Sequence, residues 1–359
     1  MRKRRTIALL LALALVTGLF ASCSGGTTSA TDTPSGQPAA QNTPGATQET
    51  PADNKKVALL LTGTVNDAGW SESSYRGLVA AQEKFGIETA YTESLQLVDM
   101  EPAARDYASL GYDVIVFSSA DFNETAVKVS KDYPDIRFVI VNGQQAQEPN
   151  LANFRPNTPE CGFLAGAFAG LITKSNTVGM IGGKSLPPVV DASKGFEAGA
   201  KYVNQNCNVI INYLDSWTDI AKGTEATLSM IEQGADVVCS NTGQAGLGTI
   251  DAAKGKGIYA IGYIDDQHEI APGTVPFSAI QDIGDVVYSA IEFALSDDFK
   301  PELKLVGAKD NVIRLSEFYD MNGQAVPDAV VSKMKEIYAG ILDGSLKEQG
   351  ILPKSGFES

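Results

Sequence analysis

From Lys55 onward, apolar strand-like runs alternate with helical patterns, and the alternation occurs twice. Strands are expected near 56–62, 87–92, 113–118 and 136–141, with helices near 71–85, 99–110 and 122–132 between them. A second series gives strands near 177–182, 208–213, 236–240, 257–262 and 275–280, interleaved with helices near 160–174, 190–205, 218–233 and 244–255. Such a pattern calls for parallel sheets covered by helices on both faces. Roughly 305 residues exceed one comfortable core, so an α/β molecule of two lobes is expected. The last segment gives a helix from Ile283 to Leu295, a loop containing Pro301, a strand pair near 304–318 and a helix near 326–343. The chain should therefore return to the first lobe and cross back again, making three inter-lobe crossovers. On this reading lobe 1 holds residues 55–155 and 282–303, and lobe 2 holds 156–281 and 304–359. Three crossing strands make a hinge, and a hinge permits closure of a cleft around a ligand.

The sequence has two tryptophans, Trp70 and Trp217, each a few residues past the end of a strand-like run and one in either half. In parallel α/β sheets the loops at the carboxyl ends of strands face the ligand crevice, so both rings can reach one cleft. Aromatics more often serve burial. Here, however, the surroundings are polar and turn-rich, Val65-Asn66-Asp67-Ala68-Gly69-Trp70-Ser71 and Leu214-Asp215-Ser216-Trp217-Thr218-Asp219. Two flat π-faces in opposite lobes suggest a clamp for a flat ligand.

The chain begins with a basic cluster, Arg2 to Arg5, then an apolar stretch from Ile7 to about Phe20 and Ala21-Ser22-Cys23. This is the layout of a secretory signal peptide over residues 1–22, and its apolar run is shorter than a span of roughly 20 residues. The cysteine that follows resembles a bacterial lipobox, so Cys23 is expected to carry acyl chains, palmitate among them, that anchor the protein at the extracytoplasmic face of the cell membrane. Residues 24–54 are almost entirely Ser, Thr, Gly, Pro, Gln, Ala and Asn, the composition of a flexible tether. Loss of the leader takes the net charge from −15 to −19, which disfavours nucleic acid and anionic lipid as partners. Cys161, Cys207 and Cys239 lack metal-type spacing and fit small buried hydrophobes. No cofactor or metal is expected, and monomer is the default.

Several stretches together resemble one family. They are Asn66-Asp67-Ala68-Gly69-Trp70 with Tyr75-Arg76-Gly77-Leu78, Phe163-Leu164-Ala165-Gly166, Val178-Gly179-Met180-Ile181-Gly182-Gly183 and Gly195-Phe196-Glu197-Ala198-Gly199, followed by Tyr213 to Asp219, Gly243 to Gly248, and Ile261-Gly262 with Asp266-Gln267. In order and spacing they are similar to the basic membrane protein family of ABC-transporter substrate-binding lipoproteins, over Val57 to about Gly344. The resemblance implies a type I periplasmic-binding-protein-like fold, a purine nucleoside or nucleobase as ligand, and a permease and ATPase on other chains. It also implies that Trp70 and Trp217 sandwich the base, with Asp67 or Asn66 reading its hydrogen-bonding edge. Asp67 has an alternative role as a cap of the following helix. Further ligand contacts are expected from Ser71, Ser119, Thr242, Gly243, Gln244, Asp266 and Gln281. Where nucleoside-binding members commonly have Asn and Gln, this chain has Ser71 and Glu72. Ile264 and Gln281 replace an aspartate and a lysine near the sugar. An apolar Ile264 cannot pair ribose hydroxyls, which leaves open a free base or a nucleoside held through Thr242, Gln244 or Asp266.

Gly179 to Ser185 resembles a phosphate loop but has Val178 where the motif needs glycine. His268, the chain's sole histidine, reads as a surface or loop residue. No GxSxG elbow, HExxH pair or clustered metal ligands are present, so a non-enzymatic binding protein is expected. The alternatives are a receptor for a sugar or other small solute, and a surface protein that senses or hydrolyses nucleosides.

Overall fold

The computed structural model describes residues 55–356. Cys23, the leader and the tether lie outside the described residues. Two six-stranded sheets make up the body. The first contains β1 (Lys56–Leu61), β2 (Glu88–Thr92), β3 (Val114–Ser118), β4 (Arg137–Val141) and β5 (Leu151–Pro156). The second contains β6 (Thr177–Gly182), β7 (Asn208–Tyr213), β8 (Val237–Asn241), β9 (Tyr259–Ile264) and β10 (Ser278–Gln281). The chain then gives β11 (Leu303–Val306) to the first sheet and β12 (Ile313–Leu315) to the second. Strand order is β11-β5-β4-β3-β1-β2 in one and β12-β10-β9-β8-β6-β7 in the other. All ladders within them are parallel except β10–β12. Both faces of each sheet are covered, which is why β1 reads as an unbroken apolar run whose residues Val57 to Leu61 are fully buried.

The helices are α1 (Trp70–Phe85), α2 (Leu97–Ser109), α3 (Asn123–Asp132), α4 (Thr158–Ile172), α5 (Pro187–Val203), α6 (Ile220–Glu232), α7 (Gly246–Lys256), α8 (Ile283–Leu295), α9 (Asp328–Leu342) and the single turn α10 (Ser345–Glu348). Among the described residues none is long and apolar enough to cross a membrane. In α4 and α5 the glycines set the packing distance. A Cβ on Gly162 or Gly166 would fall 2.0 or 1.9 Å from the carbonyl oxygens of Ala192 and Phe196, and one on Gly199 would fall 2.1 Å from Phe163 O. Backbone-to-backbone contact of this kind holds α5 against α4, and the start of α5 reaches the cleft.

The chain passes between the sheets at Asn157, at Asp282 and over residues 307–312. Two differences from the sequence reading stand out. β5 was not expected, because Asn153, Arg155 and Pro156 interrupt its apolar pattern, yet every residue of the strand is buried. The strands near 304–318 do not pair with each other: β11 lies parallel to β5 and β12 antiparallel to β10. The first sheet therefore keeps the chain through Val306, beyond the boundary read at residue 303.

Candidate functional site

In each sheet the strand order reverses beside the first strand laid down, between β1 and β3 and between β6 and β8. Loops leaving neighbouring strands diverge at such a point and open a crevice at the carboxyl ends. Here the two crevices face one cavity, with about 800 Å³ of free space when the open solvent at its mouth is counted. Lobe 1 contributes Gly63, Asp67, Trp70, Ser71, Ser119 and Asn142, and lobe 2 contributes Leu186, Trp217, Thr242, Gly243, Tyr263 and Ile264. Thr158 and Gln281 line it from the crossing segments.

Trp70 opens α1 and is held by its own lobe. Its Nε1 donates to the carbonyl and the hydroxyl of Ser118, both at 2.9 Å. Ser118 Oγ in turn lies 2.7 Å from Ser74 Oγ, which donates to Trp70 O at 2.8 Å. Trp217 lies on the loop after β7, with its ring against Gly183. A Cβ there would come within 2.2 Å of Trp217 Cε3. The glycine of the apparent phosphate loop thus makes room for an indole. Trp217 Nε1 donates across the cleft to Asp121 Oδ2 at 2.6 Å.

Asp67 is buried, and its carboxylate accepts from the backbone N–H groups of Gly69, Ser71 and Glu72, each at 3.0 Å. That is the capping role. With three of about four acceptor sites used, little capacity is left for a ligand edge. Asn66 is exposed and does not line the cavity. Asp266 does not line it either. It accepts from Tyr319 Oη at 2.5 Å and Ser278 Oγ at 3.1 Å, which turns it away from the cleft. Its neighbour Gln267 takes the place at the wall and donates to Ala68 O at 2.9 Å across the lobes. Gln244, in a short 3-10 turn, is half-buried and outside the lining. Ser71, Ser119, Thr242, Gly243 and Gln281 do line the cavity.

Residues the sequence reading passed over are Asn142, Asp121, Lys184, Tyr263 and Gln267. Asn142 directly follows β4, so taking the residue after each strand would have found it. Asn142 Oδ1 and Gln281 Oε1 are buried without a partner, and such acceptors call for a donor. Tyr263 is buried against the Cys161 thiol, and burial raises its phenol well above the ordinary value. Ile264 has φ +75°, a left-handed conformation that a β-branched residue rarely adopts. Such outliers cluster at ligand clamps. His268 is buried rather than superficial: its ring stacks on Tyr319 at 3.8 Å, and Nδ1 lies 2.9 Å from Val275 O. Cys161, Cys207 and Cys239 are free and buried. Among the described residues no cluster of His, Cys, Asp or Glu could hold a metal ion.

The lobes are closed on one another. Asp121 Oδ1 meets Lys184 Nζ at 2.8 Å, and Arg76 meets Asp265 at 2.7 Å. Deeper in, Arg155 of β5 is fully buried 3.4 Å from Asp191 of α5. Burial lowers the Arg155 guanidinium to about 10, and the adjacent carboxylate opposes that shift.

A hinged pair of α/β lobes closed over one polar-and-aromatic cavity defines the class of two-lobed solute-binding proteins. A crystal structure of an ABC transporter solute-binding protein from Aeropyrum pernix K1 superposes with a TM-score of 0.73 at 20% identity, covering 81% of this chain and 92% of that one. The chain belongs to the Bmp family, ABC transporter substrate-binding protein PnrA-like, whose model matches residues 54–344. It is 32% identical over 246 residues to the transcriptional activator protein Med of Bacillus subtilis, covering 68% of this chain and 76% of that protein. Basic membrane protein A1 of Borrelia garinii is 32% identical over 238 residues, with 64% of this chain and 69% of the relative covered. A purine-binding protein of Brucella abortus is 26% identical over 294 residues, covering 81% and 82%. The chain is thus a solute-binding protein of the ABC transporter kind, in a family of binding proteins and not enzymes.

Proposed function

We propose that this protein closes on a purine nucleoside or purine base and delivers it to an ABC permease driven by an ATPase on other chains. One observation carries the reading: a tryptophan from each lobe lines the same cavity. Stacking on an aromatic ring contributes about 1–3 kcal/mol per base, so two faces supply a large part of the roughly 8 kcal/mol of a micromolar complex. The unpartnered amide oxygens of Asn142 and Gln281 suit the ring and exocyclic N–H donors of a purine. The name of the Brucella relative, a purine-binding protein, supports the same class. With Ile264 in the lining and no charged group released toward it, a free base suits this wall better than a ribose. Cys23 is proposed to carry the lipid that holds the protein at the membrane, with residues 24–54 as the tether.

Isothermal titration against inosine, guanosine, adenosine, adenine and guanine tests the proposal. Saturable binding of at least one supports it, and no binding of any of the five overturns it. A sugar is the competing ligand, since pyranose rings also stack on indole and a relative from Haloferax volcanii, 26% identical, is named a putative ABC transporter glucose-binding protein. The ultraviolet spectrum of material released on denaturing the purified protein separates the two, because a sugar contributes no purine band.

A further inference from the structure

The two indoles are held in different ways. Trp70 satisfies its N–H within lobe 1, on Ser118. Trp217 satisfies its N–H on Asp121, a residue of the opposite lobe 96 positions earlier in the chain. An indole has one donor, so that bond exists only while the lobes are together. The carboxylate that receives it is held from its own side by Ser119, whose hydroxyl donates to Oδ2 at 3.0 Å and accepts from the Asp121 backbone N–H at 3.2 Å. Its other oxygen takes Lys184 Nζ at 2.8 Å, and the same ammonium stands 5.7 Å from the centroid of the Trp217 ring. Only 10% of the Asp121 side chain is exposed, against 30% for Lys184. Asp121 thus grips both the edge of the indole and the cation over its face, and both belong to the other lobe.

We propose that Asp121 is a positioning residue that locks the Trp217 plane only on closure, so that Trp70 is the preformed platform on which ligand first lands and Trp217 is the cover completed afterwards. The order of events rests on the reading of both rings as ligand contacts. The latch does not. In the open protein the Trp217 N–H and the Asp121 carboxylate each face water. Closing exchanges those hydrations for a charge-assisted hydrogen bond in a shielded place, the stronger kind of protein hydrogen bond. The Lys184 arm is partly open to solvent and therefore sensitive to salt. Arg76–Asp265 and Gln267–Ala68 also bridge the gap, through a carboxylate and a backbone carbonyl and not through an indole N–H.

The test uses the full chain without added ligand. Spin labels are placed on cysteines replacing exposed Asp99 in α2 and Glu225 in α6, and the distance between them is read by pulsed electron resonance. The wild-type background is expected to give mainly the short, closed distance, and Asp121→Ala to shift the open-to-closed ratio about tenfold toward open. Asp121→Asn, which keeps an acceptor for the indole and loses the charge, should fall between the two. Raising salt to about 1 M should open the wild-type background more than Asp121→Ala, in which only the Arg76–Asp265 pair remains to be screened. Matching distance distributions for all three proteins, with each folded by circular dichroism, would overturn the latch whatever the ligand proves to be. The order of events is read by stopped-flow mixing with whichever purine the wild type binds. Asp121→Ala should raise the dissociation rate about tenfold with association nearly unchanged. A loss confined to the association rate would overturn the order. Absence of purine binding by the wild type would strike the proposed function and leave the latch result standing.

Discussion

Replacing Gly183 with alanine probes recognition without replacing either tryptophan. The new methyl would stand 2.2 Å from Trp217 Cε3 and 2.3 Å from Cζ3, where ordinary contact begins at 3.4 Å. The ring must therefore retreat by about 1.2 Å from the loop, and retreat strains a bond to Asp121 that is only 2.6 Å long. Loss of that bond and part of one stacking face amounts to about 2 kcal/mol or more, a Kd raised about thirtyfold. The backbone at Gly183 lies outside the left-handed region and the displaced ring sits at a half-buried edge, so the melting temperature should change by no more than a few degrees. Gly255→Ala in α7, where a Cβ meets nothing within 4 Å, serves as the control and should bind as the wild type does. Titration calorimetry on the two variants, with thermal melts alongside, decides the matter. Unchanged affinity in a folded Gly183→Ala protein would show that the Trp217 ring does not bear on the ligand.

Three further outcomes are expected. Asn142→Ala and Gln281→Ala each remove a buried acceptor that has no partner in the free protein, so calorimetry should show affinity several-fold weaker, while urea unfolding shows Gln281→Ala unchanged and Asn142→Ala about 1 kcal/mol less stable because its backbone lies at φ +68°; intact binding in either variant would contradict the assignment. Asp191→Ala removes the carboxylate beside the fully buried Arg155, which keeps its bond to Gly143 O, and should lower stability by about 1–3 kcal/mol in the same unfolding assay; unchanged stability would contradict it. Burial pushes the Cys161 thiol from its ordinary value of 9.0 up to about 12, and raises Cys239 as well. Native protein at pH 8 should therefore leave both unreacted with a disulfide reagent until guanidinium is added. The folded state holds these protons more tightly, so the stability they contribute is complete below pH 9.0 and is lost as pH rises toward about 12. Rapid labelling of both thiols in the native state would contradict the burial.

What the sequence made legible follows from how local each signal is. β1 and β3 declare themselves because both faces are covered and five apolar residues run together in β1, four in β3. β5 hides because Asn153 and Arg155 are buried polar residues, partnered by the Gly143 amide and carbonyl, which no periodicity anticipates. The split of β11 and β12 between sheets is a tertiary choice, invisible in two short similar runs. In the cleft, Trp70 and Trp217 could be placed from strand ends alone. Asp266 could not, since the partner that turns it away, Tyr319, lies 53 residues on. Asp121 escaped for the same reason, its partners Lys184 and Trp217 being 63 and 96 residues distant.

On the proposed reading a flat heterocycle lies between two indoles from opposite lobes. A crystal structure of the protein grown with the purine it binds most tightly addresses this directly. The expected electron density shows a ring system parallel to both Trp70 and Trp217, with Asn142 and Gln281 accepting from its edge. A purine seated elsewhere, or one in contact with neither indole, would contradict it.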